Sequence, residues 1–146
     1  MPNYSTYAFE DLAVVINHPS KGQLTLQGEG LGSITFAMAN DVSSHDLAAD
    51  GSVMTSKIKA GNGTVTISVQ QTSSANKWFR DLYNYLESAS SSEWAEISLM
   101  AESKVMGVTY TATNMSFQKK PDGAYQQSGQ QVSWAFLAGD IKEVSI

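Results

Sequence analysis

Apolar residues recur at every second position in stretch after stretch of this chain, and that period commits most of it to half-buried β-strands. Leu24 and Leu26 alternate with Gln23, Thr25 and Gln27, and Ile34, Phe36 and Met38 alternate with Ser33, Thr35, Ala37 and Ala39. Val65, Ile67 and Val69 alternate with Thr64, Thr66, Ser68 and Gln70, which predicts a strand with one apolar and one hydroxyl-rich face. The second half repeats the pattern with Ile97, Leu99 and Ala101, then Val108, Tyr110 and Ala112, and finally Val132, Trp134 and Phe136. Within residues 107–118 the apolar parity shifts from even positions (Val108, Tyr110) to odd ones (Met115, Phe117), as a bulge or bend requires.

One segment has a different period. From Ser74 to Ser88, Trp78, Leu82 and Leu86 fall at i, i+4 and i+8, with Phe79 and Tyr83 on the adjoining stripe, so an amphipathic helix covering one sheet face is expected. Thr72, Ser73 and Ser74 offer N-cap hydroxyls, and the small-residue run Ser88 to Ser92 ends the helix. The stretch from Asn40 to Gly63 shows no clear alternation and is long for a loop in a compact domain, which predicts a protruding, contact-making element. Within it, Ser52 to Ile58 is expected to pair with the strand starting at Thr64 through the turn Ala60-Gly61-Asn62-Gly63. The 146 residues show no composition break and no internal repeat, so one domain, 1–146, is expected.

Charge narrows the function classes. Only 16% of residues are charged and the net charge is −5, with Arg80 as the single arginine. A nucleic-acid reader needs clustered cations to displace counterions, so sequence-specific DNA binding is not expected. Ser, Thr, Gln, Asn and Gly take the place of charges, and such surfaces bury against copies of themselves without stranding ions. There is no cysteine, hence no disulfide, thiolate nucleophile or Cys-based zinc site. The start, Met1 to Ser5, lacks the basic and apolar regions of a secretion signal, and no stretch approaches 18 apolar residues, so a chain made in a cytoplasm and kept soluble is expected.

Chemistry-bearing patterns are sparse. Gly28-Glu29-Gly30-Leu31-Gly32 has the glycines of a nucleotide loop, but a strand pattern follows where a dinucleotide site needs a helix, so a glycine turn is expected. His18 and His45 are the two candidate imidazole bases, beside Pro19 and Asp46, with no Gly-x-Ser-x-Gly elbow. Asp41, His45, Asp46 and Asp50 lack the ligand ladder of a calcium loop and read as a solvated or inter-subunit acidic loop. Trp78 and Trp134 lie on apolar stripes and are expected in the core, while Trp94 either opens a strand or anchors an interface. No catalytic residue, cofactor or metal is assigned.

The order of motifs is itself informative. Ala49-Asp50-Gly51-Ser52-Val53-Met54, Gly61-Asn62-Gly63-Thr64-Val65-Thr66 and Gln71-Thr72-Ser73-Ser74-Ala75-Asn76 follow in sequence, with Trp134-Ala135-Phe136 near the end. In this order and spacing the chain resembles the small tail tube proteins of contractile-tailed phages, over most of its length.

That resemblance implies a mainly β fold, a β-sandwich or barrel with one flanking helix at about 74–88 and a long loop or hairpin arm at about 40–63. It implies six subunits closing into a ring, rings stacking into a tube, and DNA passing through the lumen unbound. Tail sheath, baseplate and tape-measure proteins are then the partners, with the virion tail as location. Loop and C-terminus supply the expected subunit contacts: Asp41, His45, Asp46, Asp50, Met54, Lys57, Lys59, Ile141, Val144 and Ile146. Three other readings are the inner tube of a phage-derived contractile injection system, a carbohydrate-binding sandwich with exposed coplanar aromatics, and an enzyme with a perturbed catalytic pair.

Overall fold

The computed structural model describes Ala8 and residues 11–26 and 30–145. Among these, nine strands and one α-helix follow in the order β1 Leu12–His18, β2 Gly22–Leu26, β3 Leu31–Met38, β4 Ser43–Leu47, β5 Val53–Lys57, β6 Gly63–Gln70, α1 Ser74–Ser88, β7 Ile97–Ser103, β8 Val108–Lys119 and β9 Gln131–Ser145. Seven strands form one sheet in the order β2-β1-β7-β8-β9-β6-β3, with antiparallel pairing throughout, and β4 and β5 pair only with each other.

Connectivity forces this sheet to curl. The strands β2 and β3 are consecutive in the chain yet occupy opposite edges. Flat, those edges lie six spacings apart, about 29 Å at ~4.8 Å each. The five steps from Leu26 to Leu31 reach at most about 18 Å. Side-chain contacts agree: Phe36 on β3 stacks on Tyr110 of β8 at 4.5 Å between centroids, although β6 and β9 lie between those strands. The result is a curled half-barrel.

Its concave face is the core. Cross-strand partners share a face, so Val65 and Phe136, opposite each other, and Phe117 beside them point inward, joined by Val14, Ile16, Leu99 and Ala112. The helix closes the open side. Ser73 caps it, its hydroxyl accepting from the Ala75 N–H at 3.1 Å, and Phe79 packs on Trp134 and Phe136 at 5.7 and 5.6 Å. The buried stripe is Ala75, Phe79, Leu82 and Leu86, while Trp78, expected in the core, is half-buried at its margin. Trp134 is buried as expected, and its indole N–H donates to the side-chain oxygen of buried Asn76 at 3.0 Å. Trp94 opens no strand; it ends a 3-10 turn, Ser91–Glu93, and meets Tyr83 edge-on at 6.4 Å.

The parity shift in residues 107–118 has its cause at Asn114, the one non-glycine residue of positive φ (52°) among those described. Ile97 pairs Met115 but Leu99 pairs Ala112, so β8 carries an extra residue at that point. Asparagine tolerates the left-handed region better than a branched residue. Along β9 the inward parity also changes, from Trp134, Phe136 and Ala138 to Ile141. Nearby, Gly63 sits where a Cβ would lie 2.2 Å from the Ala37 carbonyl oxygen, so only glycine lets β3 and β6 approach so closely.

A polar clip holds the β1–β2 turn to the end of the helix. His18, fully buried, accepts the Ser20 N–H at Nδ1 (3.1 Å), which leaves Nε2 protonated to donate to the Glu93 carbonyl at 3.1 Å. Both ring nitrogens are thus committed to structure. The Glu93 carboxylate accepts from the Ser20 hydroxyl and from the Tyr85 phenol at 3.0 Å. The Ser20 bond first, then the Tyr85 bond, hold this carboxyl below its ordinary value of 4.5. A group depressed on folding stabilises the protein above its unfolded pKa and loses that contribution as pH falls through the folded one. Glu93→Gln is therefore expected to flatten melting temperature against pH below about pH 4.5. Parallel thermal melts of wild type and variant between neutral and strongly acidic pH check this.

Candidate subunit interface

The stretch 40–63 is a two-stranded arm, and its pairing differs from the expected one. β5 does not fold back on β6; it pairs with β4, Leu47 opposite Val53, His45 opposite Thr55 and Ser43 opposite Lys57. The reason lies at the tip, where Ala48-Ala49-Asp50-Gly51 turns tightly: Gly51 takes φ 90°, the Gly51 N–H donates to Ala48 O at 3.0 Å and the Ala48 N–H to Ser52 O at 2.8 Å. The Asp50 carboxylate accepts the Ser52 N–H at 3.0 Å, the main cause of its pKa lying below the usual carboxylate value.

The root is bound to the body. The Ala39 N–H donates to Asn62 O at 3.1 Å, the Asn40 amide to the Asn62 side-chain oxygen at 2.8 Å, and the Ile141 N–H to Gly61 O at 2.7 Å. Beyond the root nothing among the described residues packs on the arm, and all ten residues of β4 and β5 are exposed. An isolated two-stranded ribbon is only marginally stable in water, and this one carries large apolar side chains on both faces. Leu47 (72% exposed) and Val53 share one face; Met54, Val42 and Ile58 share the other. Such exposed apolar groups, adjacent at Leu47 and Val53, mark a surface built to be covered.

Of the residues singled out from sequence, Asp41, His45, Asp46, Asp50, Met54, Lys57 and Lys59 all lie on this arm and are exposed. They do not converge: His45 and Asp46 are successive strand residues and point to opposite faces. No three His, Asp or Glu side chains gather at metal-binding range among the described residues. Val144 is exposed on β9, Ile141 is buried opposite Ala112, and Ile146 lies outside the described residues. Sequence reading passed over Val42, Leu47, Val53 and Ile58. The available signal was four aliphatic residues in a polar stretch with no regular period to bury them. The nucleotide-loop glycines are partly outside the described residues, and Leu31, just past Gly30, opens a strand rather than a helix.

A family model described as "Bacteriophage PhiTE tail tube protein" matches residues 4–145. No curated protein matches the sequence. Among solved structures, the chain is similar to a chain of the sheath-tube complex of an extracellular contractile injection system, PVC, in the extended state. That match has a TM-score of 0.65 at 8% identity, covering 98% of this chain and 93% of that one. A chain of the anti-feeding prophage tube-terminating cap aligns with TM-score 0.62 at 10% identity, over 100% of this chain and 95% of that one. A chain of the tail of an empty GTA particle aligns with TM-score 0.52 at 10% identity, over 96% and 100%. At such identities the likeness concerns the fold.

Proposed function

The chain belongs to the bacteriophage PhiTE tail tube protein family, so it is a structural tail tube subunit, and we propose that its copies close into six-membered rings that stack into a hollow conduit for DNA during ejection. The observation that carries this reading is the arm, a ribbon with apolar groups on both faces and no packing partner among the described residues. A contact between unlike patches of identical subunits propagates into rings or filaments, and the open edges of β2 and β3 supply further joints. Residues 1–146 act as one tail tube unit, within the virion tail after synthesis in the host cytoplasm. Sheath, baseplate and tape-measure proteins are its partners.

The convex sheet face suits a lumen wall. Since the core and helix fill the concave side, the other face of β3, β6 and the part of β9 that pairs with β6 carries Ser33, Thr35, Thr64, Thr66 and Ser133 without a charge among them, while Ser68 is buried and hydrogen-bonded to Ser133 at 2.8 Å. A patch without cations releases no counterions from DNA and lets it slide. Thr66→Lys should convert the wall into a holding surface: assembled variant tubes are expected to retain duplex DNA at low salt, losing it as salt rises, whereas wild-type tubes retain none. Filter-binding across ionic strength reads both.

We assign no enzymatic activity: His18 is locked in a structural clip and His45 stands alone on the arm. An injection-system inner tube has fold-level likeness alone in its favour. A carbohydrate-binding sandwich needs a platform of exposed aromatics, and Trp134 is in the core.

A further inference from the structure

At the end of the β8–β9 ribbon the curled sheet holds a small cavity of about 220 Å³ whose lining includes Leu12, Met106, Val108, Tyr110 and Glu143. The lining is mainly apolar and Glu143 is its one charged residue. Glu143 stands directly opposite Tyr110 on the neighbouring strand, and its carboxylate beside the phenol is the chief cause of the phenol's raised pKa. Met106, 62% exposed, stands at the β7–β8 turn as part of the wall. A mainly apolar socket with one anion in its lining fits a ligand that is apolar at its tip and cationic behind it.

The arm has one face of that description. Leu47 and Val53 pair at the tip, His45 and Thr55 stand one position back on the same face, and Ser43 and Lys57 one position further. Asp46 points to the opposite face, as does Met54 across from it. The face toward Leu47 is therefore apolar, then basic, with no carboxylate on its strand positions.

We propose that this face of one subunit's arm docks into the socket of another copy, seating Leu47 against Leu12, Met106 and Val108 and bringing His45 and Lys57 toward Glu143. The proposal rests on the tube reading and deepens it by naming donor and acceptor. Because arm and socket are different patches, each subunit gives one contact and receives one, which propagates along an assembly.

The absence of cysteine makes the test direct. The double variant Leu47→Cys, Met106→Cys is oxidised mildly at a series of protein concentrations and run without reductant, beside Leu47→Cys, Lys120→Cys, whose second site lies outside the socket lining. Docking predicts a ladder of covalent multimers from the first pair, collapsed by reductant, at least about tenfold above the second, in line with burying one leucine side chain. Leu47→Asp, at a position too exposed to disturb folding, is expected to weaken assembly by about the same factor while the melting curve stays put. Tubes visible by electron microscopy without the ladder overturn the docking and leave the tube reading standing. Equal ladders from both pairs, or unaltered assembly by Leu47→Asp, overturn the docking too. A chain that remains monomeric at every concentration overturns both.

Discussion

Replacing Phe79 by alanine is expected to destabilise the fold by about 3–5 kcal/mol, the range for deleting a large buried aromatic side chain. The ring is fully buried and is the point at which the helix meets the sheet, packed on Trp134 and Phe136 and flanked edge-on by Trp78. Its removal leaves a cavity against β9, which is too constrained by ladders to β6 and β8 to collapse into it. Phe79→Leu keeps most of the volume and is expected to cost under about 2 kcal/mol. Urea midpoints for the two variants give the comparison, and an alanine variant as stable as wild type contradicts the packing described.

The second large effect concerns assembly instead of stability. Excising residues 43–57 and joining Val42 to Ile58 through an Asn-Gly turn removes the arm at the point where the Ile58 N–H donates to Val42 O at 2.8 Å. Every strand residue removed is exposed and none belongs to the core cluster, so folding stability is expected to change by less than about 1 kcal/mol. Tube formation is expected to vanish, because the arm carries exposed Val42, Leu47, Val53, Met54 and Ile58 with no packing partner among the described residues. Melting curves and electron micrographs of the same preparation separate the two consequences. A variant that melts as wild type and still forms tubes removes the arm from the interface.

How far the sequence anticipated the structure can be judged strand by strand. Alternation at Val65-Ile67-Val69 and Val132-Trp134-Phe136 was legible because one face of each strand packs on the core and the other does not. Even the bulge showed, since an extra residue in β8 flips parity in the letters themselves. By contrast β1 is apolar on both parities, with Ala13 and Val15 alternating with Leu12, Val14 and Ile16, and reads less plainly as one-sided. The same ambiguity hid the turnover in β9 that carries Ile141 inward, a residue which reads from sequence as part of a bare apolar terminus.

Pairing partners were less legible than strands. The arm's β4 is almost wholly polar and has no buried side, so nothing in its pattern announced that β5 returns to it rather than to β6. The sheet's curl follows from the β2 and β3 edge positions, which depend on long-range pairing that local periodicity does not encode. On the helix, the choice between Trp78 and Phe79 as the deepest residue turned on about 100° of rotation around the axis. Ile34 to Met38 alternated clearly, although Met38, where the arm begins, ends up exposed.

The central claim is that this chain is a subunit which assembles into a hollow tube. Negative-stain electron microscopy of the purified protein over a range of concentrations, with sedimentation to count discrete oligomers, tests it most directly. Rings of six with an open centre, lengthening into tubes as concentration rises, are predicted. A strict monomer that forms neither rings nor tubes, even when phage tail baseplates are supplied as templates, contradicts it.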